Sequence, residues 1–395
     1  VQMIGQNWDD HDRSGRYLAR DFGMNYLSCV DENGIIFTQG DNDTFPLWYV
    51  QEVEGFRTDV RVCNLSYLQT DWYYTQMLYP SYTSTPLPLG MTPEQYAQGK
   101  RDVVRVVPRV KGPMKLDSAI KWMLSDDERT LYNSGSEDQL NTLPATTFTI
   151  PIDSATVVNS GTVSPQYADS IVKEMTLSYS TPYLTKEKIG VLSILNSIAN
   201  QGWDRSIYFA STVPSSEYVG LQNYLQAVGL AYRIAPINGG MASMDADKTY
   251  DIVMNQFKWG GMDEDPDVYM DENCRRMCLH MRLVFSRLVN TLIEEGKTEK
   301  ALNALNLCME KIPVSVVPMT EENFVFFGQY YFKLGQPEKA IALLSDMGDS
   351  AVEMLNWYFG LKPSHFLSVG QSLMSSIRML HYVSAILKEN GQTEL

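Results

Sequence analysis

This chain is poor in the residues from which most catalytic sites are built. Of 395 residues, five are cysteine and four are histidine. Cys29, Cys63, Cys274, Cys278 and Cys308 are odd in number and unpatterned. Cys274 and Cys278 stand one helical turn apart, but no second Cys or His pair lies at usable spacing to complete a metal site. Cys63 falls in a predicted core strand and reads as a small buried hydrophobe. Of His11, His280, His365 and His381, the last three fall in a helical tail, so no nucleophile–histidine arrangement is supported. Basic residues are also scarce: 32 Lys and Arg face 47 Asp and Glu, giving a formal charge of −15. With no basic cluster to offset it, this charge argues against nucleic acid or an anionic membrane surface as the main partner. No apolar run approaches the roughly 18 residues that span a bilayer. Glycine-rich phosphate loops are missing, and the acidic turn Thr38-Gln-Gly-Asp-Asn-Asp43 would repel a pyrophosphate. No cofactor and no bound metal are expected. The chain starts at Val1, without Met or a signal peptide, and reads as cut from a longer protein.

What is present is the composition of a globular protein, 44% hydrophobic and 20% charged, too long for one ordinary domain. Its organising stretch is Gly34–Tyr49. Ile35, Ile36 and Phe37 form a short apolar run bounded by turn residues, which predicts a strand covered on both faces. Gly40-Asp41-Asn42-Asp43 follows, with Asp43 or Thr44 capping a helix from about Phe45, and Pro46 fits the first turn. A second strand, Asp59–Leu65, arrives one helix length later, so the two strands are expected to be parallel neighbours in a βαβ unit.

Further along, a helix capped by Thr70 or Asp71 precedes a Pro/Thr/Ser/Gly-rich loop over 80–100. Strands are expected at Val103–Val107 and Thr146–Ile152, with a short helix Lys115–Leu124 between them. Short antiparallel strands are expected at Ala155–Val158 and Met175–Tyr179. Thr185–Ala199 reads as an amphipathic helix, Ser206–Ala210 as a core strand, Glu217–Val228 as a helix and Ala231–Ala235 as a last strand. The expected fold is an α/β domain over 1–237 with a mostly parallel, Rossmann-like sheet. A Gly- and Asp-rich connector over 238–268 leads to a helical domain over 269–395. There Gly296-Lys-Thr-Glu-Lys-Ala301 returns as Gly335-Gln-Pro-Glu-Lys-Ala340, and Gly391-Gln-Thr-Glu394 echoes it. Gly296, Ala301 and Pro313 fall at the spacing of the tetratricopeptide repeat's glycine, packing alanine and proline, and Gly328, Tyr331, Gly335 and Ala340 match a second copy. This predicts a degenerate tetratricopeptide-like helical-hairpin array, usually an interaction or packing module.

Two polar clusters invite a chemical reading. Asp9-Asp10-His11-Asp12 could hold a divalent cation, yet its residues are consecutive, not at the alternate positions of calcium loops, which favours a solvated lead-in with Ser14 as N-cap. The second lies where open α/β sheets place ligands, beyond the carboxyl ends of strands. Asp41, Asn42, Asp43 and Thr44 would stand there, joined by Asn64 and Asp71, with Trp72, Trp48 and Tyr73 nearby. Carboxylates and amides beside aromatic faces suit a sugar, and they could equally hold a cation. The competing reading is that these side chains only cap helices and close turns.

The strings Gln6-Asn-Trp-Asp-Asp-His-Asp-Arg13, Phe37-Thr-Gln-Gly-Asp-Asn-Asp-Thr-Phe-Pro-Leu-Trp-Tyr49, Thr58-Asp-Val-Arg-Val-Cys-Asn-Leu-Ser66, Thr70-Asp-Trp-Tyr73 and Trp203-Asp-Arg-Ser-Ile-Tyr-Phe-Ala210 carry a resemblance. They resemble the soluble carboxyl-terminal region of a large bacterial family of multi-pass membrane proteins. That family's membrane half, of unassigned function, is similar to protein O-mannosyltransferases, which use a polyprenyl-phosphate sugar donor. The resemblance implies that the essential acidic residue lies in the absent membrane half, so no catalytic residue is carried over. It implies a soluble domain on the periplasmic side of the inner membrane. Its partners would be the membrane-embedded half of the same protein and an acceptor protein or glycan. A structural or scaffold module without a small-molecule site is the alternative.

Overall fold

The computed structural model describes Gly5 and residues 14–125, 127–133, 139–265, 268–319 and 322–392. The Asp9–Asp12 cluster lies outside them. The described chain divides into two compact units. Phe22–Ile252 with Gln256–Lys258 make an α/β unit, and the helical unit takes the rest.

The described strands, in chain order, are β1 (Ile35–Thr38), β2 (Arg61–Asn64), β3 (Val103–Val106), β4 (Met114–Lys115), β5 (Leu131–Asn133) and β6 (Gln139–Leu143), then β7 (Thr147–Pro151), β8 (Glu174–Ser178), β9 (Tyr183–Thr185), β10 (Ile207–Ala210), β11 (Leu225–Val228) and β12 (Ala231–Ile234). They form a five-stranded sheet β11-β12-β10-β1-β2, a four-stranded sheet β5-β6-β3-β9 and a three-stranded sheet β4-β7-β8. β1 lies parallel to β2, with Ile35 opposite Arg61 and Thr38 opposite Asn64, and the helix Asp41–Glu52 joins them. That local expectation holds.

The mostly parallel, Rossmann-like sheet does not. β10 joins β1 in parallel, but β12 runs antiparallel to both β10 and β11. The two smaller sheets also mix directions. The physical reason is visible at Val228–Ala231. Val228 faces Ala231 across a two-residue turn in which Gly229 has φ +54°, and so short a loop can join only antiparallel strands. The expected helix over Glu217–Val228 is instead two short 3-10 turns and β11. Ala155–Val158, expected as a strand, lies in a helix Ser154–Asn159 whose first turn is capped by Asp153 Oδ2, accepting from the N–H of Thr156 at 3.1 Å. A local cap outweighs β-branched composition there.

Burial explains why β1 and β10 sit centrally. Ile35, Ile36, Phe37, Tyr208, Phe209 and Ala210 are all inaccessible to solvent. Apolar residues on both faces require cover on both sides. Arg57, in the left-handed region at φ +48°, donates to Leu27 O, Val30 O and Asp31 O and to the Asp59 carboxylate. It closes the carboxyl end of the helix Leu18–Ser28 with a charge of the favourable sign.

The helical unit carries antiparallel neighbours: Glu272–Glu294 with Thr298–Lys311, then Phe326–Lys333, Pro337–Phe359 and Phe366–Glu389 in succession. Gly296 and Gly335 occupy the inter-helix turns at φ +74° and +72°, while Ala301 and Ala340 are fully buried. A Cβ on Gly328 would lie 2.4 Å from Leu344 Cγ, so the small residue permits that helix contact. The unit is compatible with a tetratricopeptide-like reading. Among the described residues, no helix is long and apolar enough to cross a membrane.

Candidate functional site

β1 ends at Thr38, and Gly40 turns the chain at φ +87° and ψ 179°, a conformation open essentially to glycine alone. Helix Asp41–Glu52 starts immediately, and Gly40 has no side chain with which to cap it. Asp43 reaches back instead: its Oδ2 accepts the N–H of Gln39 at 3.2 Å. The same oxygen accepts from Thr212 Oγ1 at 2.8 Å, tying the helix to the end of β10. One residue on, Thr44 Oγ1 donates to Thr38 Oγ1 at 2.8 Å and accepts from Asn64 Nδ2 at 2.8 Å. Asn64 Oδ1 accepts the N–H of Tyr67 at 3.0 Å, starting the next helical turn after β2.

Asp43, Thr44 and Asn64 therefore come together, but as a buried lock at the carboxyl ends of β1, β2 and β10. They are 3%, 0% and 2% exposed, and none of the three lines either of the two clefts described below. Asp41 and Asn42 are exposed in the first helical turn. Asp71 and Trp72 stand on the next helix, Asp71–Met77, with Asp71 Oδ2 accepting the N–H of Gln98 at 3.4 Å. The lock has a measurable consequence. Thr44→Val removes the acceptor of a buried amide, and a loss of about 1–3 kcal/mol is expected in urea unfolding. Thr44→Ser, which keeps the hydroxyl, should lose clearly less.

Burial also raises the Asp43 carboxyl above the usual carboxylate range, against the lowering effect of its bonds to Thr212 and Gln39. A raised folded value means that the native state holds the proton more tightly than the unfolded chain. Asp43's contribution is then full below the ordinary carboxylate pKa and is lost as pH rises through its raised value. Asp43→Asn is expected to raise the melting temperature at neutral pH relative to wild type and to lose that advantage below the ordinary carboxylate pKa. An equal drop at every pH would show that the carboxylate acts only as a cap. Asp31 behaves oppositely. Burial alone would raise it, but Lys248, Ser206 and Tyr208 hold it below the usual range, so its stabilisation is lost as pH falls.

The accessible chemistry lies one helix face away. Phe45, Trp48, Tyr67, Trp72 and Tyr73 form a continuous aromatic run. Trp48 stacks on Tyr67 with centroids 6.0 Å apart and planes 8° from parallel. Between Trp48 and Trp72 opens a cleft of about 470 Å³, whose other walls include Tyr73, Tyr79 and Tyr82 and whose lining includes Arg61. Trp72 is 57% exposed, Tyr79 64% and Tyr82 62%, an uncommon concentration of wet aromatic surface. Gln51 Nε2 donates to Arg57 O and Val60 O, each at 2.8 Å, and Tyr73 Oη accepts the N–H of Asn64 at 3.0 Å. These two side chains satisfy backbone groups in and beside β2, which is the edge strand of its sheet. Trp72 also lines a second cleft of about 490 Å³, with Asp71, Thr70, Asp102 and Lys186. Lys186 Nζ donates there to Asp102 Oδ1 at 2.5 Å.

Trp72 lines both clefts and Asp71 the second, whereas Asp41, Asn42, Asp43, Thr44 and Asn64, expected in one crevice with them, line neither. Arg61, Tyr79, Tyr82, Asp102 and Lys186 were not singled out from the sequence. One signal was present: Arg61 is a charge beside the apolar pair Val62 and Cys63 in a strand expected to be buried. Tyr79 and Tyr82 sit at the edge of a loop whose course no periodicity gives. Among the described residues, no group of three or more His, Cys, Asp or Glu side chains converges into a metal-binding set.

The family model described as TMEM260-associated domain 2 matches residues 19–251, more than half of the chain and nearly all of the α/β unit. No curated protein and no solved structure matches. The match covers both strands of the βαβ unit, the polar lock and the aromatic cleft. The chain belongs to the family of the TMEM260-associated domain 2.

Proposed function

We propose that this chain is the water-exposed domain of a membrane glycosyltransferase-like protein and that its α/β unit holds the glycan of an acceptor, without itself performing the transfer. The observation that carries the reading is the cleft between Trp48 and Trp72, with exposed aromatic faces beside hydrogen-bonding groups. A saccharide offers apolar C–H faces and a rim of hydroxyls, and a site for it combines flat aromatic surface with a few placed polar atoms. The resemblance of the Phe37–Tyr49 and Thr58–Ser66 strings to soluble regions of multi-pass membrane proteins supports placement outside the inner membrane, on the periplasmic side. There the partner would be the membrane-embedded half of the same protein.

The test is binding of the full chain to a glycan array, repeated with Trp72→Ala. The side chain is mostly exposed, so the variant should fold as the parent does. Glycan binding is expected to fall at least about tenfold, with an unchanged circular dichroism spectrum. Undiminished binding in the variant, or no bound glycan at all, would contradict the reading.

A scaffold role is favoured by one separate observation. In the helical unit, Trp357, Phe359, Met374 and Val352 are all exposed. That reading predicts unaltered stability with every saccharide and an association that Trp357→Glu abolishes.

A further inference from the structure

Arg61 is the first residue of β2, and its side chain lines the aromatic cleft while the residue as a whole is only 3% exposed. Its Nη2 donates to Met77 O at 3.2 Å and to Tyr79 O. Nε and Nη1 are buried and have no hydrogen-bond partner among the described residues. A second buried guanidinium stands close by. Burial first, and then the charge of Arg61, lower the Arg205 pKa to about 10. Arg205 donates to Asn33 O at 2.7 Å and Pro86 O at 2.8 Å, and its Nη2 also lacks a partner among the described residues. Among those residues, neither guanidinium is in an ion pair. Elsewhere in the same unit the pattern differs: Arg233 is paired with Asp245 and Arg57 with Asp59.

An arginine side chain keeps its charge in a protein, and a buried charge is stable only with hydrogen bonds and a counter-charge. The sequence is strongly acidic at −15, so two neighbouring unpaired cations are not a consequence of composition. Glu52, on the cleft, is exposed and its carboxylate accepts from Tyr82 Oη, so water and salt screen it far more than they screen Arg61.

We infer that the cleft takes an anionic group, a carboxylate or a phosphate, carried by its ligand and seated on Arg61 between Trp48 and Trp72. The inference rests on the glycan reading for the rest of the ligand and deepens it: the bound saccharide is an acidic one. Charge-assisted hydrogen bonds to a guanidinium are the strong class and would supply the discrimination.

The test is the full chain on an array of paired glycans that share a neutral core and differ by one uronate or one phosphate, with inorganic phosphate and glucuronate as soluble competitors. The acidic member of a pair is expected to bind about tenfold or more tightly than its neutral partner. The uronate and phosphate arms identify which anion is preferred. Arg61→Gln should erase the preference and Arg61→Lys should keep part of it. Arg61 also holds Met77 and Tyr79, so the wild-type comparison of paired glycans stands as the test even where a variant does not fold. Equal binding of neutral and acidic partners would overturn the anion site and leave the glycan reading intact. Binding of inorganic phosphate with no glycan bound would keep the anion site and overturn the glycan reading. No response to any probe would overturn both.

Discussion

Asp245→Ala is expected to destabilise the α/β unit by about 3–5 kcal/mol, the range for breaking a buried ion pair from one side. Arg233 Nη2 donates to Asp245 Oδ2 at 2.8 Å with both side chains 1% exposed. The guanidinium also reaches Gln226 Oε1 at 2.8 Å on β11 and Ser164 Oγ at 3.4 Å, so it stitches two antiparallel strands to a loop. Asp245 has further duties. Its Oδ2 accepts from Ser164 Oγ at 2.5 Å, and its Oδ1 accepts the N–H of Lys248 at 3.3 Å, capping the helix Ala246–Asn255. Alanine at 245 would leave Arg233 buried with amide and hydroxyl acceptors but no anion of its own. The measurement is the urea midpoint by far-ultraviolet circular dichroism for Asp245→Ala and Asp245→Asn. Asparagine keeps a cap and an acceptor and should recover part of the loss. If both variants unfold with the wild type, the pair contributes nothing to stability.

The second large effect concerns a glycine. A Cβ on Gly23 would sit 2.5 Å from the carbonyl oxygen of Pro46 and 2.9 Å from its carbon. Both are backbone atoms of the helix Asp41–Glu52, so no rotamer change relieves the clash and the two helices must part. Alanine is otherwise the better helix former, by about 1 kcal/mol. Steric conflict decides the sign here, and Gly23→Ala is expected to lower stability by about 3 kcal/mol, the upper end of ordinary overpacking. Gly370, in the helix Phe366–Glu389, has nothing within 4 Å of the place its Cβ would take and makes the control. Gly370→Ala should leave stability unchanged or raise it by up to about 1 kcal/mol. Stabilisation by both substitutions, read from thermal melts, would contradict the close approach of the helices at Gly23.

The elements that could be read from the sequence were those whose signal is local. Ile35–Phe37, the acidic turn and Pro46 specify strand, turn and helix within one short stretch, and the parallel pairing of β1 with β2 follows from a crossover of helix length. Strand direction elsewhere depended on partners far apart in the chain. β12 pairs with β10 across more than twenty residues, and β3 finds β9 some eighty residues on. Periodicity carries no such information. The hairpin at Gly229 was readable in principle, because Val228-Gly-Leu-Ala231 places a glycine where positive φ is needed. A strong helix reading of the preceding segment concealed it.

The candidate site divided along the same line. Asp43, Thr44 and Asn64 were legible as a cluster because helix and strand ends bring them together. Their burial, which turns a polar turn into a lock, depends on Thr212 from β10's end and could not be read locally. Trp72 was singled out for its chemistry and lies on both clefts. Arg61 was hidden by its own strand. Its meaning appears only once its bonds to Met77 O and Tyr79 O, and its two unpartnered nitrogens, are known.

The most direct measurement is the indole region of a ¹H–¹⁵N spectrum of the full chain, recorded as a bound glycan from the array is titrated in. The sequence contains seven tryptophans, so each indole signal can be assigned by single substitution. A glycan site in the aromatic cleft predicts that the signals of Trp48 and Trp72 move together and saturate, while those of buried Trp203 and Trp259 stay in place. Saturating shifts confined to Trp357 in the helical unit, or to no indole at all, would contradict it.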